Sequence, residues 1–508
     1  MKRIGDATRS FPTQSEKRAT AQLLGELEAI PFTSGRGSPL GKLCAAGAKC
    51  GWDQLQRTDH QLLQQLAPKA RASLQRHLQR ILARITRPCL ELEWESFILA
   101  MESLGLGQPS DSESTQRIFL RERPSYRLGL LFQRFPVLPS LWSLAICQWL
   151  KHTVEVLDRI RKDQVTISRV FLEGHRPGRI RNFRPGLSDP HNGGRSVTLI
   201  EFDKGRLIYK PRSGASEAAW FELLGLMNRH GFQPAMRRAH LLERDSYHWM
   251  EYIEPASCKK VTEVRRFYER LGGMIAAAHL LKAVDCHREN IIALGEHPVL
   301  VDADALWHVS PLTKTQNLSD VLARTGFLPG SSRRSLRSRS SVLGWATTGN
   351  HVARINGRVV IASDYTREIV RGFVRGWDCL VGTRRRRLLF QKKLRKIQTK
   401  PRRWIYLATE RYAAILRASL TPAALRSKKA REGIITQLCS RSSPPPAAIR
   451  AEIEALKQLD LPYFVRTTAE SMPADRTRAP SELTRTIRNA VLSASSGRSK
   501  KDYALHMK

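Results

Sequence analysis

The sequence predicts an α+β fold, with helices toward both ends of the chain and short strands between them. Three observations carry that reading. Apolar residues recur at three- and four-residue steps over roughly residues 15–105, as in Leu62, Leu63, Leu66, Leu74, Leu78 and Ile81. Near residue 165 that spacing gives way to short β-branched runs, glycines and aspartates. Two of those runs, Val197–Phe202 and Arg206–Lys210, are separated only by Asp203-Lys204-Gly205, which signals a hairpin.

Taken in order, helical spacing covers Ala21–Ile30, Asp53–Ile85 and Leu90–Leu104, with loops rich in Ser, Gly and Pro at 34–39 and 109–115. A further helix is predicted from about Ser140 to Val165. Val170–Gly174 and Arg179–Phe183 read as short extended segments, and a Gly- and Asp-rich loop, GLSDPHNGG, follows at 186–194. Pro211 ends the second hairpin strand because it has no N–H to donate to a ladder. Ser216 is a candidate N-cap for a helix running to about His230 and closed by Gly231. Tyr247–Ile253 reads as a strand, about Thr262 to Ala283 as a long helix, and 291–293 and 298–302 as short strands. Residues 404–420 and 447–458 return to helical spacing. The last thirty or so residues are polar and predict a frayed tail.

The charge is the unusual quantity. Lys and Arg number 85 and Asp and Glu 46, for a net of +39, although 41% hydrophobic and 26% charged residues are ordinary for a globular protein. Residues 331–440 hold 26 Lys/Arg against 5 Asp/Glu. Two clusters lie there, SSRRSLRSRSS at 331–341, read as a flexible loop, and RRRR with KKLRK between Arg384 and Lys396. Such an excess suits an acidic partner: nucleic acid, an anionic membrane surface, a nucleotide or an acidic peptide. No apolar run reaches transmembrane length, and no secretory signal opens the chain. The eight cysteines form no Cys-x-x-Cys pair and have no zinc-finger spacing, so they read as reduced and mostly buried, as in a cytoplasmic protein.

The residues that carry chemistry lie at 197–304. Lys210 ends a hairpin strand. A long helix leads to Asp285-Cys286-His287-Arg288-Glu289-Asn290. A short hairpin then ends in Val301-Asp302-Ala303-Asp304. That is the order and spacing of a kinase-type phosphoryl-transfer site. In such a site a strand Lys meets nucleotide phosphates, a loop Asp accepts the hydroxyl proton, and an Asn and a second Asp hold Mg²⁺ through oxygen ligands. Glu217 or Glu222 could orient Lys210. Neither a Walker A sequence nor a kinase-type glycine-rich loop is present.

Longer strings make the comparison specific. RFPVLPSLWSLAICQWLKHTVEVLDRIRKD (134–163), GLSDPHNGGRSVTLIEFDKGRLIYKPRS (186–213), HWMEYIEP (248–255), AVDCHRENIIALGEHPVLVDADALWH (283–308), SDVLARTGFLP (319–329) and RRWIYLATERYAAIL (402–416) resemble, in this order, the dehydratase half of type II lanthipeptide synthetases, the LanM family. The resemblance implies a bilobal, lipid-kinase-like core. Its boundaries would be a helical region at 1–125, an N-lobe with supporting helices at 126–260, a C-lobe with a basic insertion and elimination-associated helices at 261–470, and a flexible tail at 471–508. It implies ATP and Mg²⁺, phosphorylation of Ser and Thr in a precursor peptide, and elimination of phosphate to dehydroalanine and dehydrobutyrine.

Position by position, Lys210 matches the ATP-contacting Lys, Asp285 the catalytic Asp with His287 beside it, and Asn290 and Asp302 the metal-binding pair. Asp304 falls where the family usually has Glu. Arg403 and Thr409 match an Arg and a Thr used in phosphate elimination, though Leu407 and Ala408 replace the usual Arg and Pro before that Thr. Arg403 suits a leaving phosphate through its guanidinium, and His287 or another nearby base would take the Cα proton.

No Trp-Cys-x-Gly or Cys-His-Gly string occurs, so no zinc is expected and the chain is not expected to close thioether rings alone. Either a separate LanC-like cyclase acts with it, or it is a truncated or divergent relative. The basic 331–400 stretch would suit an acidic leader on the precursor. Two other readings stand beside this one. One is a kinase-like enzyme that phosphorylates without eliminating. The other is a basic nucleic-acid-binding protein on a decayed scaffold, which the lack of aromatic interleaving in the basic runs disfavours.

Overall fold

The protein is described by a computed structural model covering residues 38–58, 63–105, 124–308, 318–329, 341–343, 349–440, 444–467 and 480–495, with a few isolated positions besides. The expected helix at 21–30, the loop at 109–115 and the basic loop at 331–340 lie essentially outside the described residues. The chain forms two compact units. One comprises the described residues up to Pro211 together with Tyr406–Tyr463, and the other comprises Arg212–Ile405 with the described residues from Phe464 onward. The boundaries expected near residues 125 and 260 fall inside these units.

In the first unit, helices Pro39–Thr58, Pro68–Ser103 and Leu138–Phe171 bury their apolar sides on one another. Trp142 joins two of them by donating its indole N–H to Thr86 Oγ1 at 2.9 Å. Three sequence expectations fail here. The helical run expected over Asp53–Ile85 is divided, one helix ending at Thr58 and the next starting at Pro68, with Leu66 bridged to Ile180 between them. The second helix was expected to break between residues 85 and 90, yet it runs straight through Pro88. A proline removes one backbone hydrogen bond, but Ile85, Thr86, Cys89 and Leu90 around it are all buried, and that packing outweighs the loss. Val170–Gly174 is likewise not extended. The preceding helix continues to Phe171 with Ile167 buried, and Gly174 closes it at φ +86°.

Strands Ile180–Arg184, Thr198–Phe202 and Arg206–Lys210 form an antiparallel meander, with Phe183 opposite Ile200 and Leu199 opposite Ile208. The 186–194 loop leaves this meander and is held by Asp460, which accepts from the N–H groups of Gly193 (2.5 Å) and Gly194 (2.8 Å). Helices Thr409–Ala418, Lys428–Ser440 and Pro446–Lys457 complete the unit.

In the second unit, helix Ala215–Arg229 is capped at Gly214 and not at Ser216, whose hydroxyl instead donates to the Pro401 carbonyl at 3.3 Å. The hairpin Leu241–Glu243/His248–Glu251 sets Leu242 opposite Trp249. The core is the crossing of helices Val261–Leu280 and Thr366–Val381. Glycines permit it: a Cβ on Gly272 would lie 2.0 Å from the Ile369 carbonyl oxygen, and one on Gly372 would lie 1.8 Å from that of Glu269. A second hairpin, Ile291–Leu294/His297–Leu300, follows the first of these helices.

Two further expectations change. The helix expected from residue 404 begins only at Thr409, because Arg402–Trp404 is a strand paired with Phe464–Arg466. Within the expected flexible tail, Pro480–Ser495 is a helix that packs on Thr366–Val381 with Leu483, Ile487 and Val491 buried. None of the eight cysteines is in a disulfide, and seven are buried. Among the described residues no single helix is long and apolar enough to cross a membrane.

Candidate active site

Six of the eight residues singled out from sequence lie in the second unit, on three segments. The loop after helix Val261–Leu280 carries Asp285, His287 and Asn290, the end of the second hairpin carries Asp302 and Asp304, and the strand Arg402–Trp404 carries Arg403.

The loop is built locally. Asp285 adopts φ +66°, a left-handed conformation that costs a non-glycine residue about 1 kcal/mol. Asn290 spans the turn, its side-chain N–H donating to the Asp285 carbonyl at 2.7 Å. The Glu289 N–H donates to His287 Nδ1 at 3.2 Å, so the imidazole proton belongs on Nε2, which sits 3.4 Å from Asp285 Oδ1. Gly326 closes over the loop at φ +86°, and a Cβ there would lie 2.7 Å from the Cys286 carbonyl carbon. Burial and the neighbouring Asp285, Asp302 and Asp304 push the Cys286 thiol well up, which leaves it no role as a thiolate nucleophile.

The hairpin explains the twelve-residue gap between Asn290 and Asp302. With Ile291 opposite Leu300, the Val301 N–H donates to the Asn290 carbonyl at 2.8 Å, and both metal-type side chains come to the same end of the ladder. The strand bearing Arg403 is tied to the same place, its N–H donating to the Asp304 carbonyl at 2.9 Å. The Arg403 guanidinium then stands 3.7 Å from both Asp285 Oδ2 and Asp304 Oδ2, bridging loop and hairpin. Next to it, Trp404 is sandwiched between His308, stacked at 4.2 Å, and Arg466, whose guanidinium lies 3.5 Å over the ring.

Arg212 is a member of this cluster that the sequence reading passed over. Its Nη2 is 2.9 Å from Glu217 Oε1 and 2.5 Å from Asp302 Oδ1, and its Nε is 3.5 Å from Asp304 Oδ2. Glu217 is fully buried and also faces His248, which hydrogen-bonds the Arg212 carbonyl at 2.9 Å. Glu217 thus orients Arg212, and Glu222 pairs with Lys393. The available signal was charge balance: buried carboxylates at 217 and 304 need cations, and Arg212 is the basic residue nearest in sequence to Glu217. Burial and Asp302 together push the Asp304 carboxyl up, against the lowering by Arg212 and Arg403.

Lys210 and Thr409 belong to the first unit. Lys210 is the buried last residue of its strand, and Thr409 is the first residue of helix Thr409–Ala418. Among the described residues no group of three or more His, Cys, Asp or Glu side chains is arranged to hold a metal ion. The oxygen donors suited to a hard cation are Asp302 and the amide oxygen of Asn290, whose nitrogen is already committed to Asp285. The cluster therefore combines a carboxylate on a left-handed loop residue beside an imidazole, an Asn/Asp oxygen pair and two guanidinium groups. Those are the groups needed to remove a hydroxyl proton and hold phosphate charge.

A family model described as a domain of unknown function, DUF4135, matches residues 135–349 and 344–467. The chain is also similar to the lacticin 481/lactococcin biosynthesis protein LcnDR2 of Lactococcus lactis subsp. lactis, with 24% identity over 382 residues. That match takes in 65% of this chain and 40% of the relative's length.

Proposed function

The chain belongs to the DUF4135 family, and on that premise we propose that it acts in lanthipeptide biosynthesis as an ATP-dependent dehydratase of a precursor peptide. The observation that carries the proposal is the convergence of Asp285, His287, Asn290, Asp302, Asp304 and Arg403 on one cluster in the order a phosphoryl-transfer site requires. The similarity to a lacticin biosynthesis protein supplies the substrate class.

In the first half-reaction Asp285 accepts the proton of a peptide Ser or Thr hydroxyl. The oxygen attacks the γ-phosphorus of ATP, and ADP leaves. His287, whose Nε2 stands 3.4 Å from Asp285 Oδ1, lies beside the Asp285 carboxylate. Asn290 and Asp302 present the oxygen atoms that would hold Mg²⁺, and the donor set fits that ion. When bound, the ion supplies neutralisation of triphosphate charge. Lys210 is assigned to the nucleotide phosphates by the family resemblance.

In the second half-reaction a base takes the peptide Cα proton and the Cβ–O bond breaks. Phosphate leaves with the bonding electrons, and a Cα=Cβ double bond remains. Arg403 stabilises the departing phosphate through its guanidinium. Thr409 is assigned to the same step by resemblance. The sum is one ATP converted to ADP and phosphate for each residue dehydrated.

Phosphorylation without elimination is the second reading, favoured by Leu407 and Ala408 in place of the family's Arg and Pro. Mass spectrometry of a Ser/Thr-rich precursor peptide incubated with the protein, ATP and Mg²⁺ separates the two. Loss of one water per modified residue supports the dehydratase, accumulation of phosphopeptide supports the second reading, and an unmodified peptide refutes both.

A further inference from the structure

Helix Arg384–Gln398 breaks the rules that would make it a stable surface helix. Its first turn holds four arginines and no acidic residue, so cations stand at the positive end of the helix dipole. Lys392 and Lys396 are like charges one turn apart. Leu388 and Leu389 are exposed, at 57% and 43% of their surface. Nothing in the folding of this helix requires any of these choices. Its anchoring is done by Phe390, Leu394 and Ile397, which are buried on the inner side.

Helical spacing sorts the remainder. Arg386 donates to the carbonyls of Asp378 and His230, and Lys393 pairs with Glu222, so these two flank the buried stripe. Arg384, Arg385, Lys392, Arg395 and Lys396 share the outer face with the two leucines. None of those five pairs with a carboxylate among the described residues. The outer face is therefore an apolar spot ringed by unsatisfied positive charge. Departures from local stability rules of this kind concentrate where a surface has work to do.

We propose that the outer face of helix Arg384–Gln398 is a docking surface for an acidic, amphipathic peptide segment. Carboxylates of the partner meet the ring of basic side chains, and an apolar side chain covers Leu388 and Leu389. Nucleic acid fits less well, because single strands are held by exposed aromatic platforms and the helix's one aromatic, Phe390, is buried. The identity of the partner as a peptide rests on the proposed function; the binding surface does not.

The test uses the whole chain without ATP. Fluorescence anisotropy is recorded with a labelled Glu/Leu amphipathic peptide, the same peptide with Gln for Glu, and a poly-dT strand. The triple variant Arg385→Gln/Lys392→Gln/Lys396→Gln should weaken the acidic peptide at least about tenfold, equivalent to about 1.4 kcal/mol, without lowering the melting temperature. Leu388→Ser should weaken it as well, while the Gln peptide binds poorly to every form. Unchanged affinity for the acidic peptide in both variants overturns the proposal. So does tight poly-dT binding that the triple variant loses and Leu388→Ser keeps. If the variants lose the probe but the parent modifies no peptide, the docking surface stands and the proposed function fails. If they keep the probe and modify a precursor with unchanged KM, only the docking surface fails.

Discussion

Replacing Arg212 by Met should destabilise the second unit severely. The guanidinium touches Glu217, Asp302 and Asp304, and Glu217 is fully buried, with its Oε1 2.9 Å from Nη2. Met keeps most of the side-chain volume and removes the charge. The loss then comes from a buried carboxylate left without its cation, which costs about 3–5 kcal/mol. Glu217→Leu should cost less, because Arg212 retains Asp302 and Asp304 as partners. The double variant Arg212→Met/Glu217→Leu removes both ends of the pair and should recover at least about 1 kcal/mol relative to the sum of the singles. Urea denaturation followed by tryptophan fluorescence reads the loss, with Trp220, Trp249 and Trp307 buried in this unit and Trp52, Trp142 and Trp149 buried in the first. A loss below about 1 kcal/mol for Arg212→Met, or strict additivity in the double variant, would refute the clamp.

Asp460 should make stability pH-dependent: burial pushes its carboxyl up to about 6 from 3.8 despite the two glycine N–H donors. Between those values the folded chain holds a proton that the unfolded chain releases, so this group's contribution falls by about 2–3 kcal/mol as pH rises from 4 to 6 and is flat above. Asp460→Asn should flatten that slope in thermal melts recorded across the window, and an unchanged slope would count against it. Gly372→Ala places a methyl 1.8 Å from the Glu269 carbonyl oxygen, so the two core helices must separate, and a loss of at least about 2 kcal/mol is expected in chemical denaturation. Asp285→Ala should abolish phosphate transfer to peptide, and normal turnover would remove Asp285 from the catalytic role. Arg403→Ala should leave phosphopeptide behind and also slow phosphorylation, because its guanidinium lies 3.7 Å from Asp285 as well as from Asp304. Full dehydration by that variant would break its assignment.

What the sequence made legible was local. The hairpin through Lys210, the helix before Asp285 and the hairpin between Asn290 and Asp302 rest on neighbours a few residues apart, and their periodicity is plain. Spacing along the chain was therefore enough to bring Asn290 beside Asp302. Arg403 is different. Its position depends on a strand whose partner, Phe464–Arg466, is remote in sequence, so the strand was not foreseen and Trp404, its last residue, read as the start of a helix. Pro88 misled for the opposite reason, since a local breaker was overridden by tertiary burial on both sides. The helix Pro480–Ser495 was hidden by its polar residues, although Leu483, Ile487 and Val491 keep a helical stripe. Arg212 was not legible because its partners Glu217, Asp302 and Asp304 come together only through the tertiary fold.

The central claim is that the Asp285–Asn290–Asp302 cluster transfers phosphate to a peptide hydroxyl and that phosphate then leaves. Incubation of the protein with γ-labelled ATP, Mg²⁺ and a Ser/Thr-rich precursor peptide tests it most directly. Label should pass through the peptide and appear as inorganic phosphate in step with dehydrated product, and Asp285→Asn should show neither. Dehydration without passage of label through the peptide, or label transfer undiminished in Asp285→Asn, would contradict the claim.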